Sequence, residues 1–250
     1  HNTCKAYEEL NKINIKDFYS GNIITGVELN TKVLSIPIEI LGYKVDTVKM
    51  QKLIDQTYVS NDERCKVEVQ RLKEKCDKQG IILPDDFVEK YDCSMWPSKY
   101  LNKYIIQNEE NKKYIEDDAW KDSNIFYRKY MSNPNTIFFV NMDDLLPDFE
   151  TANQIIKDAG GLVFIPHIFE YRENSEKILN HILNNYEIDG IECYYTTFSE
   201  EQTNRLLDIC KEKKLLISGG SDYHGNNKQN CELGVGRGNL NISEEIIKNW

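Results

Sequence analysis

Asp222 and His224 stand two positions apart in "LLISGGSDYHG" (215–225), directly after a short apolar run and a Gly-Gly pair. Alternate residues of an extended segment point to the same side, so the carboxylate and the imidazole can face one point in space. The chain holds only four histidines, which makes the placement of each informative. Glu28 ends "IITGV", His167 ends "LVFIP" and Glu192 lies in "GIECYY", each beside an apolar run of strand-like composition. Carboxylate and imidazole together form a donor set suited to zinc, iron or manganese, and these positions are read as one shared metal site. Each also has a plainer reading. His167 alone could be a hydrogen-bonded core histidine, Glu192 a structural acid beside the sheet ladder, and His181, inside a polar helical pattern, a surface residue.

The elements that must position these groups follow from periodicity. Residues 4–19 read as an amphipathic helix with Ala6, Leu10 and Ile13 on one face, followed by a strand in "NIITGVEL" and its continuation or hairpin partner in "SIPIEILGY". From Asp46 to Lys78 the pattern is long, charged and helical, and it ends at Gly80, where a left-handed C-cap fits. Residues 47–135 are expected to be mostly helical, with their charge runs forming a solvated face. Beyond them "TIFFV" reads as a strand, a helix opens at Pro147 and stops at Gly160-Gly161, and "LVFI" follows as a buried strand. A helix over 175–185 leads to "GIECYY", Ser199 with Gln202 makes a capping box for a helix over 200–213, and "LLIS" is the next strand. Strands alternating with such helices indicate βαβ units and a mainly parallel sheet or barrel. In a barrel of that kind, active-site residues sit at the C-terminal strand ends.

Composition narrows the function classes. With 40% apolar residues over 250 positions the chain can bury a sizeable core. The net charge of −10 argues against broad attraction to nucleic acid or to membranes, so an anionic substrate needs local help such as metal ions. Seven cysteines, odd in number and without a C-x-x-C pair, point to a reducing compartment rather than a disulfide framework. The longest apolar run, "GLVFIPHIF", is far short of the roughly 18 residues a membrane span requires. A cytoplasmic protein is the expectation.

Taken together, "HNT", "TGVEL", "EILGY", "AGGLVFIPH", "IDGIECYYTTFSEEQTNRLL" and "GGSDYHG" resemble the polymerase-and-histidinol-phosphatase (PHP) superfamily, in particular its stand-alone bacterial phosphoesterases. The resemblance is strongest over 158–225. It implies an α/β fold, a distorted (β/α)7 TIM-like barrel that binds up to three divalent ions, Mn, Fe or Zn, at the C-terminal strand ends. The barrel domain would occupy 1–46 and 136–250, with a helical insertion subdomain over 47–135 beside the substrate cleft. Tyr91, Trp96 and Tyr100 in that insertion could stack bases or form a small helical core. As metal ligands the resemblance implies His1, Glu28, Glu39, His167, Asp222 and His224.

Three departures from the family pattern bear on activity. The opening His-x-His strand and the Asp soon after it are absent, so the first strands of the barrel are expected to be missing, either because the chain is a fragment or because this member is impaired. Glu39 stands in "EILGY" where the family has His, either as an oxygen ligand that favours manganese or magnesium or as a lost ligand. Ile168 follows His167 in place of Pro.

The chemistry implied is hydrolysis of a phosphate ester by a water that bound metals acidify. Glu28, Asp222 and His224 would be the catalytic groups, and Arg237, Arg172, Tyr223 and Lys228 candidate phosphate holders. A phosphorylated small molecule, a nucleotide or a short oligonucleotide would be the substrate, with no membrane and no large nucleic-acid partner. The alternative is a catalytically impaired PHP-like protein that binds metal or nucleotide. A hydrolase of the amidohydrolase type would share barrel and ligands, yet it expects a metal-bridging Lys or an opening His-x-His.

Overall fold

The computed structural model describes residues 1–225 and 230–250. The chain divides into two compact units, His1–Tyr58 together with Leu146–Trp250, and Val59–Leu145. No described helix is long and apolar enough to cross a membrane.

The first unit opens with a short helix α1 (Ala6–Leu10), where a helix over 4–19 is the sequence expectation; a separate 3-10 turn covers Ile15–Asp17. Strands β1 (Gly26–Val33) and β2 (Ile36–Tyr43) form a hairpin through Leu34 and Ser35, both at positive φ as the tightest hairpin turns require. Helix α2 (Thr47–Thr57) follows, capped by the Asp46 carboxylate, which accepts from the backbone of Val48 and Lys49. The second unit then contributes α3 (Asn61–Gln79), α4 (Pro97–Ile105), α5 (Asp117–Lys121) and α6 (Ser123–Phe126). The chain returns to the first unit with α7 (Phe149–Asp158), β3 (Leu162–Ile165), α8 (Ser175–Asn185), β4 (Gly190–Tyr195), α9 (Glu200–Lys213) and β5 (Leu216–Gly220).

The five strands form one mixed sheet in the order β1-β2-β3-β4-β5. Where a distorted (β/α)7 barrel lacking its first strands is the sequence expectation, the described residues form an open five-stranded sheet with β1 and β5 at its edges. Only β3–β4 and β4–β5 are parallel. The β1–β2 connection of two residues permits antiparallel pairing alone, and β2 pairs antiparallel with β3 through Leu41–Phe164, Gly42–Val163 and Tyr43–Leu162. Along the hairpin one face alternates into the core as Val27, Leu29, Ile38 and Ile40, which pack with α2 and α7 residues such as Met50, Ile54, Phe149 and Ile156. The opposite face carries Glu28, Asn30 and Glu39.

Within the second unit, α3 begins with a Ser60–Glu63 capping box and ends at Gly80 with φ 72°. The long helical pattern from 46 to 78 is therefore two helices, interrupted at Tyr58–Ser60. "TIFFV" is not a strand. Phe138 is buried in this unit's own core, the Thr136 hydroxyl donates to Asn133 O at 2.9 Å, and Lys75 Nζ donates to Phe139 O. These side-chain bonds hold the segment in turns. Tyr91 and Tyr100 pack in the same core with ring centroids 4.8 Å apart and planes tilted at 60°, while Trp96 is exposed; the first two are packing residues.

Candidate metal centre

The parallel strands β3 and β5 deliver their ligand-like residues just past their C-terminal ends: Pro166 and His167 follow Ile165, and Ser221 and Asp222 follow Gly220. In open α/β sheets the crevice beyond those ends is where ligands bind. The β1–β2 hairpin supplies the other side. Glu39 lies past the last β2–β3 pair, so its side chain stands beside the end of β3 instead of beneath it. Glu28 faces Leu41 and Glu39 faces Asn30, which makes the two carboxylates diagonal neighbours on one face.

Four residues close into a tight cluster there. His1 Nε2 lies 2.9 Å from Glu28 Oε2 and its Nδ1 2.9 Å from Glu39 Oε1. His167 Nε2 lies 3.2 Å from both Glu28 Oε1 and Glu39 Oε2. His224 joins through its Nε2, 3.4 Å from His1 Nε2. Asp222 sits behind His224: the Nδ1–H donates to Asp222 Oδ1 and to its backbone oxygen, each at 3.1 Å. That fixes the tautomer and leaves Nε2 toward the cluster.

The turn that carries His1 is clamped from two sides. Asn2 N donates to Glu28 O at 2.9 Å and Asn30 N to Asn2 Oδ1 at 2.8 Å, which lays the segment along the outer edge of β1. From α2, Gln51 Oε1 accepts from Cys4 N at 2.7 Å and from the Thr3 hydroxyl at 3.0 Å.

Electrostatics follow from this geometry. Hydrogen bonds to Glu28 and Glu39 raise the His1 pKa to about 10. Burial works against the charged form of His167, but the same two carboxylates outweigh it and raise that pKa to about 10 as well. For Glu28, burial is opposed by His1 and His167, which together bring the carboxyl down to about 2, and Glu39 is lowered by the same partners against the same burial. Glu192, fully enclosed on β4, has its carboxyl raised to about 7 by desolvation.

Two overlapping groups of donors have their ligand atoms within 4.8 Å of one another, His1–Glu28–His224 and Glu28–Glu39–His167. Donors bound to one ion at about 2.1 Å each lie within about 4.2 Å of one another, so each group needs only small adjustment to close on a cation. The nitrogen-and-oxygen mixture is that of zinc, iron or manganese sites. Two carboxylates gathered around a point now held by imidazole protons fit a positive ion, and Glu28 belongs to both groups.

Of the residues expected from the sequence, His1, Glu28, Glu39, His167 and His224 are brought together directly, and Asp222 through His224. Arg172, at φ 51° in the 3-10 segment after His167, is exposed, as are Tyr223 and Arg237. Among the described residues none of the three makes a side-chain hydrogen bond or ion pair to the cluster. Lys228 lies outside the described residues. His181 is on α8, against Asn185 and the Tyr186 ring. Gln51, Tyr171 and Tyr195 are the contributors that residue type and spacing missed: Tyr171 OH accepts from Glu39 N at 2.8 Å, and Tyr195 OH donates to Asp222 Oδ2 at 2.9 Å. The Tyr-Tyr pair in "GIECYY", polar at its tips within a buried strand, was the available signal for Tyr195.

No family model and no curated protein matches the sequence. Among solved structures, a protein assigned as a metal-dependent phosphoesterase, from Bifidobacterium adolescentis, superposes with a TM-score of 0.61 at 18% identity, covering 99% of this chain and 81% of that one. An amidohydrolase from Chromobacterium violaceum, with bound sulfate and no metal, superposes with a TM-score of 0.56 at 18% identity, covering 81% of this chain and 68% of that one. The likeness is one of fold.

Proposed function

We propose that the chain is a metal-dependent phosphoesterase that hydrolyses a phosphate monoester or a nucleotide or oligonucleotide phosphate. The observation that carries the reading is the sharing of Glu28 between two groups of donors, a set that would suit two neighbouring ions. His1 and His224 with Glu28 would hold one ion, and Glu39 and His167 with Glu28 the other. Bound there, divalent ions supply positive charge for phosphoryl oxygens and acidify a water for in-line attack. The chain's own groups set the stage. Asp222 keeps the His224 proton on Nδ1 and so keeps Nε2 available as a donor. Arg237 and Arg172 are proposed phosphate holders, since a chain of net charge −10 must bring local cations to an anionic substrate, and the Tyr223 hydroxyl is proposed as a third, neutral holder. The names of the two structural neighbours support a hydrolase.

A second reading, a metal- or nucleotide-binding protein impaired in catalysis, is favoured by Glu39, a carboxylate where the resembling family has a histidine. One experiment separates the two. The purified chain is treated with chelator, reloaded with Mn²⁺, Fe²⁺ or Zn²⁺, and assayed for metal content and for phosphate release from an aryl phosphate. Metal uptake with turnover supports the phosphoesterase. Uptake without turnover on a broad phosphate-ester panel supports the binding protein, and absence of uptake overturns the phosphoesterase and the metal-binding form of the second reading.

A further inference from the structure

Strand β4 breaks its own alternation beside the cluster. Residues Gly190, Ile191 and Glu192 pair in register with Leu216, Ile217 and Ser218 of β5, and Tyr194 and Tyr195 with Gly219 and Gly220, so Cys193 is an extra residue without a partner. In a regular strand, positions 192 and 195 face opposite sides of the sheet. The inserted residue resets that phase, as bulges beside active sites do. Cys193 turns toward α9, its sulfur 3.6 Å from Cys210 Sγ in the core. Glu192 and Tyr195 both turn toward the candidate metal centre.

What they touch there is specific. Glu192 Oε2 accepts the backbone N–H of His167 at 2.7 Å, and Tyr195 OH donates to Asp222 Oδ2 at 2.9 Å. The Tyr195 and His167 rings lie 5.4 Å apart. Both contacted residues have left-handed backbone, with φ 22° and ψ 47° at His167 and φ 50° at Asp222. Such conformations persist where the surroundings over-determine them. Glu192 and Tyr195 are both buried, and the Glu192–His167 bond is shielded from solvent on both sides.

We infer that Glu192 and Tyr195, brought to one side of β4 by the bulge at Cys193, are positioning residues that hold His167, and through Asp222 hold His224, in the geometry needed to bind cation. The inference rests on the reading of the cluster as a metal centre. Outer partners of metal ligands fix ligand orientation, and losing one weakens affinity about 10- to 100-fold.

The test measures Mn²⁺ affinity by calorimetry on the full chain, with the thermal midpoint of the chelator-treated protein recorded beside it. Tyr195→Phe removes one hydroxyl and, acting on His224 through Asp222, is expected to weaken affinity measurably, up to about tenfold, while the metal-free midpoint stays near wild type. Glu192→Gln retains an oxygen that accepts the His167 N–H, whereas Glu192→Leu has none; the Gln variant should bind within a few-fold of wild type and the Leu variant much more weakly. Wild-type affinity in Tyr195→Phe, or equal loss in Glu192→Gln and Glu192→Leu, overturns the inference. A wild-type chain that takes up no metal overturns the underlying reading of the site instead, so the two failures are distinguishable.

Discussion

At the scale of single residues, the cluster is a balance between protons and a cation. Without metal, the His1 and His167 protons neutralise Glu28 and Glu39. The histidine pKa values are raised from 6.5 to about 10, so their contribution to folding is full below pH 6.5 and disappears as pH rises through about 10. Glu28 is lowered from 4.5 to about 2, so its contribution is present above pH 4.5 and disappears as pH falls through about 2. The chelator-treated protein should therefore have its highest thermal midpoint between pH 4.5 and 6.5, with a decline toward pH 10 that Glu28→Gln flattens. Cation must displace those protons, so Mn²⁺ affinity should rise over the same alkaline range, with protons released to solution. A flat affinity from pH 6.5 to 9 would contradict the arrangement. Donor sharing yields a second expectation. Glu28 serves both groups and Glu39 one. Glu28→Gln should weaken binding of both ions, by more than the 10- to 100-fold typical of outer partners, and Glu39→Gln should spare one; titrated Mn²⁺ stoichiometry reads the difference.

At the scale of elements, what the sequence made legible depended on whether the signal was local. The helices over Ser175–Asn185 and Glu200–Lys213 and the strands "LVFI" and "GIECYY" match their expected bounds, because caps, glycines and apolar runs act within a few residues. Strand-end placement of His167 and Asp222 was legible for the same reason. Sheet closure and order were not, since they depend on pairing between distant segments, and a Leu-Ser turn at positive φ is not a residue choice that announces a tight hairpin. "TIFFV" misled because apolar composition alone does not distinguish a strand from a buried turn. Gln51 was invisible too, being one polar residue among many on α2. Its two hydrogen bonds to Thr3 and Cys4 hold the turn that carries His1, and its Nε2 donates to Asp55 at 2.8 Å. Gln51→Ala should leave α2 intact, because Met50 and Ile54 anchor it in the core, yet loosen His1 and weaken Mn²⁺ binding about tenfold. Unchanged affinity would show that Asn2, on the edge of β1, suffices to place His1.

At the scale of the whole molecule, every donor of the candidate centre belongs to the unit formed by His1–Tyr58 and Leu146–Trp250. The second unit, Val59–Leu145, has a separate apolar core built from Val69, Leu72, Phe87, Leu101, Ile105 and Phe126 among others, and none of these residues belongs to the core of the first. The two ends that a deletion must join are anchored close together on β1. Tyr58 OH donates to Asn30 O at 2.9 Å, and the hydroxyl of the next residue, Thr31, donates to Pro147 O at 3.0 Å. Lys32 then bridges to Asp148. A short Gly-Ser linker from Tyr58 to Leu146 can span adjacent anchor points, and closing so small a loop costs little conformational entropy. The deleted protein is expected to fold, to bind Mn²⁺ with the stoichiometry of the full chain, and to gain thermal stability on metal loading, by about 2.7 kcal/mol at a free concentration one hundred times Kd. Turnover on a panel of phosphate esters should change in preference if the second unit selects the substrate. A folded deletion variant that binds no metal would show instead that Val59–Leu145 supports the centre, and would move its role from specificity to structure.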